Sequence, residues 1–456
     1  MTGNPPSPSP TAQERDKVIP RPNALTDTQT EARADRLVAW SARNAVLLLI
    51  LPLLVYATLI CFDPLARNYG MDVDVYQAAG EAVRNGDSLY EGPVTDLNYN
   101  YTPFAALPFV AMTVVPPEAL HLLWFLINMT LLVYVIATAL SMIGTRLGGR
   151  ILRASIGLAG LMLWLQPVTW GMVLGQVNLV IASMVLWDGK NSPASGPHKW
   201  YRGILIGVAT GIRLTPGLFI IYLLVIRRTR TALMACAGFF ATVAVGFIAL
   251  PHQSLWYWQG HFADVGHIDG DNHDRDVQSL AATMSRLLDR DQPPAVLWLV
   301  LACLLGAAGL AVAARAYRRG HTLLGLTLCG LTAEAVAPFS WSHHWVWLVP
   351  ATLMVVSWAA RGSRRRLHLT VAAVLVCLAA WPLGYLTHDR LGPILGTIAL
   401  PLVSPFDIIY GNLYLWLYFG ILIVAMSLGD RTTAKTPLSD SDRAARRAAP
   451  EDGIRS

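Results

Sequence analysis

The sequence predicts an all-α, polytopic membrane protein. Hydrophobic residues make up 54% of its 456 positions and charged residues only 14%, whereas a soluble globular chain carries roughly 25% charged residues. Apolar runs of about 17 to 25 residues recur along the chain, and each is long enough to cross a bilayer as a helix. The net charge of +6 arises from basic residues at the ends of these runs. It therefore indicates membrane topology rather than nucleic-acid binding.

Two polar segments flank the apolar part of the chain. Residues 1–43 and 431–456 are rich in charged and small polar residues, which predicts disordered tails. Residues 44–430 then form the membrane domain. The first apolar run, 44–62, is long enough for a true span, and we do not expect a cleavable signal peptide. Arginines just before this run place the N-terminal tail in the cytoplasm by the positive-inside rule.

The segment that follows the first span, residues 63–103, is predicted to be an external loop. It carries Asp72 and Asp74 at the mouth of the membrane, where an ionisable group is costly and often functional. Residues 76–84 are predicted to be helical. The next apolar run, 104–115, is too short to span and is expected to lie along the interface.

The segment 203–226 decides the predicted topology. As a single span, it would turn every later basic loop outward. A turn at 213–216 would instead form a hairpin of two half-helices of roughly eleven residues, and the later basic clusters would then lie inside, as the positive-inside rule favours. Broken helices at membrane depth line cavities, so Arg213 is predicted to face one.

The other long apolar runs are predicted to alternate in direction. Together with the first run they give about ten spans plus the re-entrant hairpin. These runs are 119–143, 151–166, 177–187, 231–250, 294–314, 322–339, 345–360, 367–387 and 412–428. The five cysteines lie within apolar runs, and we interpret them as buried small residues rather than disulfide partners.

With this topology, three polar segments meet one external cavity: Asp72 with Asp74, the turn that carries His343 and His344, and the polar loop 261–290. Gln176, Asn178 and Arg213 are predicted to line the floor of this cavity. A carboxylate can accept a proton from a hydroxyl, and a cation can stabilise a departing phosphate. The combination suits a phosphate-linked substrate.

Each of these features also has a purely structural interpretation. Asp72-Val-Asp74 matches a short metal-binding pattern, but its carboxylates can equally cap a helix. The two histidines can belong to an aromatic belt at the interface, and Arg213 can extend its head to the lipid headgroups. The residues of 261–276 are not spaced like a defined metal site and are interpreted as solvated.

Six short motifs occur in order along the chain. They are Asp72-Val-Asp-Val-Tyr76, Tyr99-Asn-Tyr-Thr-Pro-Phe-Ala-Ala106, Gly175-Gln-Val-Asn178, Gly211-Ile-Arg-Leu-Thr-Pro216, Gln278-Ser-Leu280 with Arg286, and Ser340-Trp-Ser-His-His344. Together they resemble the actinobacterial polyprenyl-phosphate-mannose-dependent alpha-mannosyltransferases, which form glycosyltransferase family 87 of the GT-C superfamily. The resemblance extends over about residues 44–360.

The resemblance implies a GT-C-type helical bundle whose external loops form the active-site cavity on the outer face of the plasma membrane. It implies an inverting transfer of mannose from polyprenyl-phosphate mannose to a lipid-anchored mannoside, with Asp72 as the general base. No cofactor is expected, although the role of a divalent metal is left open. The candidate substrate-binding residues are Asp74, Tyr101, Gln176, Asn178, Arg213, Gln278, Arg286, His343 and His344.

The chain departs from the family pattern at three positions. Thr102 replaces a proline, Arg213 replaces a lysine and Val277 replaces an asparagine. Arginine retains the positive charge of lysine. A transferase that uses another polyprenyl-linked sugar, such as arabinofuranose, is an alternative within the class. A lipid or sugar transporter is an alternative from another class, because broken helices and intramembrane charges suit it too.

Overall fold

The computed structural model describes residues 35–36, 38–62, 69–145, 148–190, 200–263, 270–274, 276–361 and 411–427. Within these ranges the regular structure is helical, and the only β-pairing is an isolated bridge between Val277 and Trp341. The all-α prediction is thus confirmed for this part of the chain. Residues 38–43, which we expected in the disordered tail, are helical. The predicted span 367–387, residues 1–34 and the C-terminal tail lie outside the described residues.

The described part of the chain contains sixteen α-helices. The first eight are α1 (Ala45–Phe62), α2 (Met71–Asn85), α3 (Pro103–Phe109), α4 (Pro117–Ile143), α5 (Ile151–Met162), α6 (Gln166–Leu174), α7 (Asn178–Lys190) and α8 (Ile204–Ile212). The others are α9 (Gly217–Val225), α10 (Thr229–Ala249), α11 (Pro251–Trp258), α12 (Leu280–Leu288), α13 (Ala295–Arg318), α14 (Thr322–Val336), α15 (Leu348–Arg361) and α16 (Leu413–Ser427). Short 3₁₀ turns lie at Val110–Val114, Gly148–Arg150, His261–Ala263 and Ser342–His344.

Long apolar helices make this a multi-pass membrane protein. Among the described helices, α4, α10 and α13 are long and apolar enough to cross a membrane. Helices α5 and α6, which meet at a 90° bend, would count as a fourth span if together they form one broken span. Shorter apolar helices include α14, α15 and α16. The predicted number of about ten spans therefore stays a prediction. The bend was not expected from the sequence, which had α5 continuing to residue 166.

The predicted hairpin at 213–216 is present. A Cβ at Gly203 would overlap the backbone of Thr231, and a Cβ at Gly211 would overlap the side chain of Thr242. These two contacts show that α8 and α10 run parallel in close contact, as small residues allow between membrane helices. The chain must therefore reverse through α9. The two half-helices have nine residues each, slightly fewer than predicted.

The same reasoning gives the directions of other helices. The Tyr56 hydroxyl of α1 donates to the Leu163 carbonyl just after α5, at 2.9 Å, and Gly157 of α5 lies against the start of α1, so these helices are parallel. The Trp124 Nε1 near the start of α4 donates to the Gly175 carbonyl just before α7, at 2.5 Å. Asn178 at the start of α7 contacts Arg213, just after α8, and the His343 carbonyl, on the turn after α14. The starts of α4 and α7 and the ends of α8, α10 and α14 therefore lie at one end of the bundle.

Charges divide between the two ends of the bundle. The end just described, here called the acidic end, carries Asp72, Asp74, Glu81, Asp87, Glu91, Asp96, Glu118, Asp271, Asp274, Asp276, Asp289 and Asp291, with Arg84, Arg213, Arg286 and Arg290. The opposite end, here called the basic end, carries Arg36, Arg43, Arg150, Arg153, Lys190, Arg202, Arg227, Arg228, Arg230, Arg315, Arg318, Arg319 and Arg361, with Asp35 and Asp188.

Helix α2 lies at the acidic end and positions the first motif. Gly70 (φ 77°) precedes the helix and Gly86 (φ 82°) ends it, both in the left-handed region that glycine adopts without strain. The buried face of α2 includes Val73 and Tyr76, and it packs in an apolar cluster that contains Phe109 of α3. This packing fixes the rotation of α2 and hence the direction of Asp72.

Candidate active site

Asp72 lies in the first turn of α2 and is half-buried. Its Oδ2 accepts a hydrogen bond from Nε2 of Gln176 at 2.6 Å. Gln176 follows Gly175, which ends α6 with φ 81° and has the Val73 side chain where a Cβ would lie. Loss of hydration raises the pKa of Asp72 to about 7, and the Gln176 hydrogen bond and the charge of Arg213 lower it only in part.

Two amide side chains connect this carboxylate to a cation. The Gln176 Oε1 accepts from the Tyr101 hydroxyl at 3.2 Å and from the Asn178 Nδ2 at 3.4 Å. The Asn178 Oδ1 in turn accepts from Nη1 of Arg213 at 3.0 Å. Hydrogen bonds thus connect Asp72 with four other predicted site residues: Tyr101, Gln176, Asn178 and Arg213. These four residues come from three different motifs, all of which follow α2 in the sequence.

Arg213 also contacts the histidine turn. Its Nη2 donates to Nδ1 of His344 at 2.8 Å, and the backbone N–H of Trp341 donates to the same nitrogen at 3.0 Å. Two donors require a lone pair on Nδ1, so the imidazole proton is on Nε2. Burial, with the Arg213 charge, holds the pKa of His344 well below its usual value. His344 is therefore a neutral hydrogen-bond donor through Nε2.

His343 differs from its neighbour because both of its ring nitrogens are buried without a hydrogen-bond partner among the described residues. Its carbonyl accepts from the Asn178 Nδ2 at 3.1 Å, and its ring stacks on Trp341 with centroids 6.1 Å apart. Burial, together with the Arg213 charge, lowers the pKa of His343 to about 3. Buried polar groups normally form hydrogen bonds. The two ring nitrogens of His343 can therefore form hydrogen bonds with a ligand.

A second half-buried carboxyl group, on Asp276, was not among the predicted site residues. Its Oδ1 accepts from Nε2 of Gln166 at 3.2 Å, and its carbonyl accepts from the Ser342 N–H at 2.7 Å. Loss of hydration is the main reason that the pKa of Asp276 rises to about 7. One signal for it is present in the sequence, since Asp276 lies two residues before Gln278 of the fifth motif.

Asp74 does not join Asp72. Its Oδ1 lies 2.7 Å from Nε2 of His121, and its side chain is 45% exposed. The two carboxylates therefore face different partners, as their positions on a helix predict. Among the residues that the structure describes, no three His, Cys, Asp or Glu side chains are grouped as metal ligands would be. Metal independence stays a prediction.

Gln278 and Arg286, two further candidates, hold the loop before α12. The Gln278 Nε2 donates to the Gly411 carbonyl at 2.8 Å, and its Oε1 accepts from the Tyr414 N–H at 3.2 Å. Nη2 of Arg286 donates to the Asn412 Oδ1 at 2.6 Å, and its Nη1 donates to nearby loop carbonyls. These contacts do not include the chain from Asp72 to Arg213, and substrate binding by either residue stays a prediction.

Comparison with known proteins identifies the family. The sequence model of glycosyltransferase family 87 matches residues 99–340, which is more than half of the chain. The chain belongs to glycosyltransferase family 87. As a member of family 87 it is an integral membrane glycosyltransferase, which decides against the transporter alternative.

Curated relatives of this family 87 protein are similar over most of their length. The polyprenol-phosphate-mannose-dependent alpha-(1-2)-phosphatidylinositol pentamannoside mannosyltransferase of Mycobacterium tuberculosis is 30% identical over 347 residues, which are 74% of this chain and 78% of the relative. The polyprenol-phosphate-mannose-dependent alpha-(1-2)-phosphatidylinositol mannoside mannosyltransferase of Mycolicibacterium smegmatis is 30% identical over 404 residues, which are 82% of this chain and 86% of the relative. No solved structure matches the chain.

Proposed function

We propose that the protein transfers mannose from polyprenol-phosphate mannose to a lipid-anchored mannoside of the phosphatidylinositol mannoside type. The activities for which the relatives are named support this donor and this class of acceptor. Arabinofuranose or another sugar is less well supported, since the relatives named here use mannose. No cofactor takes part in the proposed reaction.

The observation that carries the proposal is the hydrogen-bonded chain between Asp72 and Arg213. It holds a carboxylate with a raised pKa at one end and a guanidinium at the other, with Gln176 and Asn178 between them. A glycosyl transfer from a lipid phosphate needs both groups. The base accepts the proton of the acceptor hydroxyl, and the cation stabilises the charge that develops on the leaving phosphate.

In the proposed reaction, the acceptor oxygen forms a bond to the anomeric carbon while the bond from that carbon to the phosphate oxygen breaks. The hydroxyl proton goes to Asp72, and the electron pair of the broken bond stays with the polyprenyl phosphate. One carboxylate is enough for this single displacement, which inverts the anomeric carbon. The nearby Asp74 and Glu334 contact His121 and the Ser340 hydroxyl.

The histidine turn completes the proposed donor site. The arginine Nη2 that contacts His344 would keep its guanidinium facing the phosphate. The Nε2–H of His344 would add a neutral donor to the same oxygen atoms, and His343 would contact a sugar hydroxyl. These assignments follow from the tautomer and from the unpartnered ring of His343.

We place the active site on the outer face of the plasma membrane. Arginines and lysines are concentrated at the basic end of the bundle, and cytoplasmic loops carry an excess of such residues. The acidic end, which carries Asp72 and Arg213, would then face outward. An outer site also suits an acceptor that is anchored in the outer leaflet.

A reconstituted assay tests the proposed function. Purified protein in liposomes is given polyprenol-phosphate [¹⁴C]mannose and a phosphatidylinositol mannoside, and the products are separated by thin-layer chromatography. We expect a labelled lipid that is one mannose larger, with a new alpha linkage. Labelling from polyprenol-phosphate arabinose but not from the mannose donor would contradict the proposed sugar, and labelling from a nucleotide sugar alone would contradict the donor class.

A further inference from the structure

A separate cavity, lined by both charged and apolar side chains, lies at the basic end of the bundle, away from the candidate active site. It is enclosed by the end of α7, the start of α8, the end of α9 and the starts of α10 and α14. The polar side chains in its lining are Asp188, Arg202, Tyr222, Arg228, Thr231, Tyr317 and Thr322. None of these residues belongs to the six motifs.

Arg202 is the unusual residue of this cavity. Only 6% of its surface is exposed, yet its Nε and Nη1 have no hydrogen-bond partner among the described residues. The Tyr222 hydroxyl is also buried and has no hydrogen-bond partner among the described residues. Leaving buried donors unpaired costs about 1–3 kcal/mol each, and more for a charged group. Such groups indicate a ligand with hydrogen-bond acceptors.

The charges of the cavity select an anion. The Asp188 Oδ2 accepts from the Ile206 N–H at 3.1 Å, so this carboxylate caps the start of α8. Nε of Arg228 donates to the Tyr317 hydroxyl at 2.7 Å. One carboxylate and two guanidinium groups leave a net charge of +1, which one negative charge would neutralise. A phosphodiester carries a single negative charge and several acceptor oxygens.

The surroundings of the cavity indicate a membrane lipid as the source of that phosphodiester. Leu223 of α9 and Ile226, directly after that helix, form part of its apolar wall. The adjacent outer face of α9 exposes Ile221 and Leu224, each by 50%, and in a membrane helix this face meets acyl chains. Basic pockets between membrane helices at the cytoplasmic side are suited to anionic lipid headgroups.

We propose that this cavity binds the phosphodiester of an anionic membrane phospholipid through Arg202, Arg228 and the Tyr222 hydroxyl. The bound headgroup would connect the start of α8 with the end of α9 and the start of α10. Those helices include both halves of the hairpin, whose opposite turn carries Arg213. The lipid would therefore stabilise the hairpin that holds the donor-phosphate cation.

Short-chain phosphatidylglycerol is a suitable probe for this site. The purified, delipidated full-length protein is titrated with dihexanoyl phosphatidylglycerol below its micelle concentration, and Tm and the apparent Kd are measured. We expect saturable stabilisation of the wild type. Arg202→Gln should weaken binding roughly tenfold or more, since a charged hydrogen-bonding partner is lost. The matched control is Arg230→Gln, which removes a charge from an exposed position at the same end and should bind like the wild type.

Two further variants and a second ligand distinguish the possible outcomes of this experiment. Tyr222→Phe keeps the ring and removes only the hydroxyl, so it replaces Arg202→Gln if that variant does not fold, and it should also weaken binding. Arg213→Gln should retain the stabilisation, because the active site is at the other end. Inorganic phosphate that stabilises as well as the lipid at equal concentration would show a free anion as the ligand and overturn the lipid source. Equal binding by Arg202→Gln and Arg230→Gln, or no stabilisation of the wild type, would overturn the site itself.

Discussion

Arg213 and His344 are joined by a hydrogen bond of 2.8 Å between Nη2 and Nδ1, although 131 positions separate them in the sequence. The guanidinium lies at the turn of the hairpin and the imidazole on the turn between α14 and α15. Because the Trp341 N–H donates to the same Nδ1, the imidazole has a fixed tautomer and ring orientation. The position of the cation is thus set by two elements from different parts of the bundle.

Removing the cation should impair the use of the donor. Arg213→Ala is expected to raise the apparent KM for polyprenol-phosphate mannose roughly tenfold or more, or to abolish turnover, because a charged contact to phosphate is lost. Arg213→Lys should retain part of the activity, since the charge survives but one of the two bonds to Asn178 and His344 does not. Steady-state kinetics at limiting donor measure both. Wild-type kinetics for Arg213→Ala would mean that the residue acts only in the fold.

The Asp72 carboxylate is expected to be the base. Asp72→Asn keeps the shape of the side chain and removes its basicity, so turnover should fall by roughly two to four orders of magnitude while the donor still binds. Asp74→Asn is the matched control at the same helix turn, and it should be much milder because Asp74 contacts His121. Near-normal turnover by Asp72→Asn would end this mechanism, and loss of wild-type activity on chelation would replace it with a metal-assisted one.

The pH dependence should report the same group. The pKa of Asp72 is raised to about 7, so its carboxylate is protonated at lower pH and cannot accept the hydroxyl proton. We therefore expect kcat/KM to fall about tenfold per pH unit below roughly pH 7 and to level off above it. Asp276 also has a raised pKa of about 7. A profile that disappears in Asp276→Asn would assign the titration to that residue instead.

The two histidines should not contribute to that profile, because burial keeps both neutral, but they should affect substrate use in different ways. His344→Asn retains an acceptor near the Nδ1 position and should keep more activity than His344→Ala. His343→Phe preserves the stacking on Trp341 and removes both nitrogens, so a loss of activity would come from substrate contacts. Donor and acceptor KM values separate the two roles. Full activity of all three variants would remove the histidines from the site.

The proposed orientation can be tested by labelling in intact cells. In a chain whose native cysteines are replaced, Asp87→Cys at the acidic end should react with an impermeant thiol reagent. Arg230→Cys at the basic end should react only after the membrane is permeabilised. Both positions are exposed in the structure, so accessibility within the fold does not bias the comparison. The reverse pattern would place the active site in the cytoplasm.

Sequence patterns predicted those features that depend on neighbouring residues. The hairpin followed from a charged break in an apolar run, and the helix predicted for residues 76–84 is the C-terminal part of α2, which begins five residues earlier at Met71. The grouping of Gln176, Asn178 and Arg213 followed because each lies at a helix end that the topology brings to the same side. Local patterns therefore located most of the candidate site.

Tertiary contacts produced the features that the sequence did not predict. Gln166 and Asp276 are 110 positions apart, and helical periodicity contains no information on such a pairing. The bend between α5 and α6 depends likewise on the packing of α6, whose residues are almost all buried. Arg286 was predicted to bind substrate, but its contacts with Asn412 could not be anticipated from the motif around it.

The hydrogen bonds from Gln278 and Arg286 to residues 411 and 412 have a consequence for biosynthesis. The two donors precede their acceptors by 133 and 126 positions. While the chain is being translated, the loop before α12 must therefore wait for α16 to be synthesised before it acquires these bonds. In a nascent chain that is released before residue 411, Gln278 and Arg286 lack these acceptors. We expect cellular quality control to degrade such a chain.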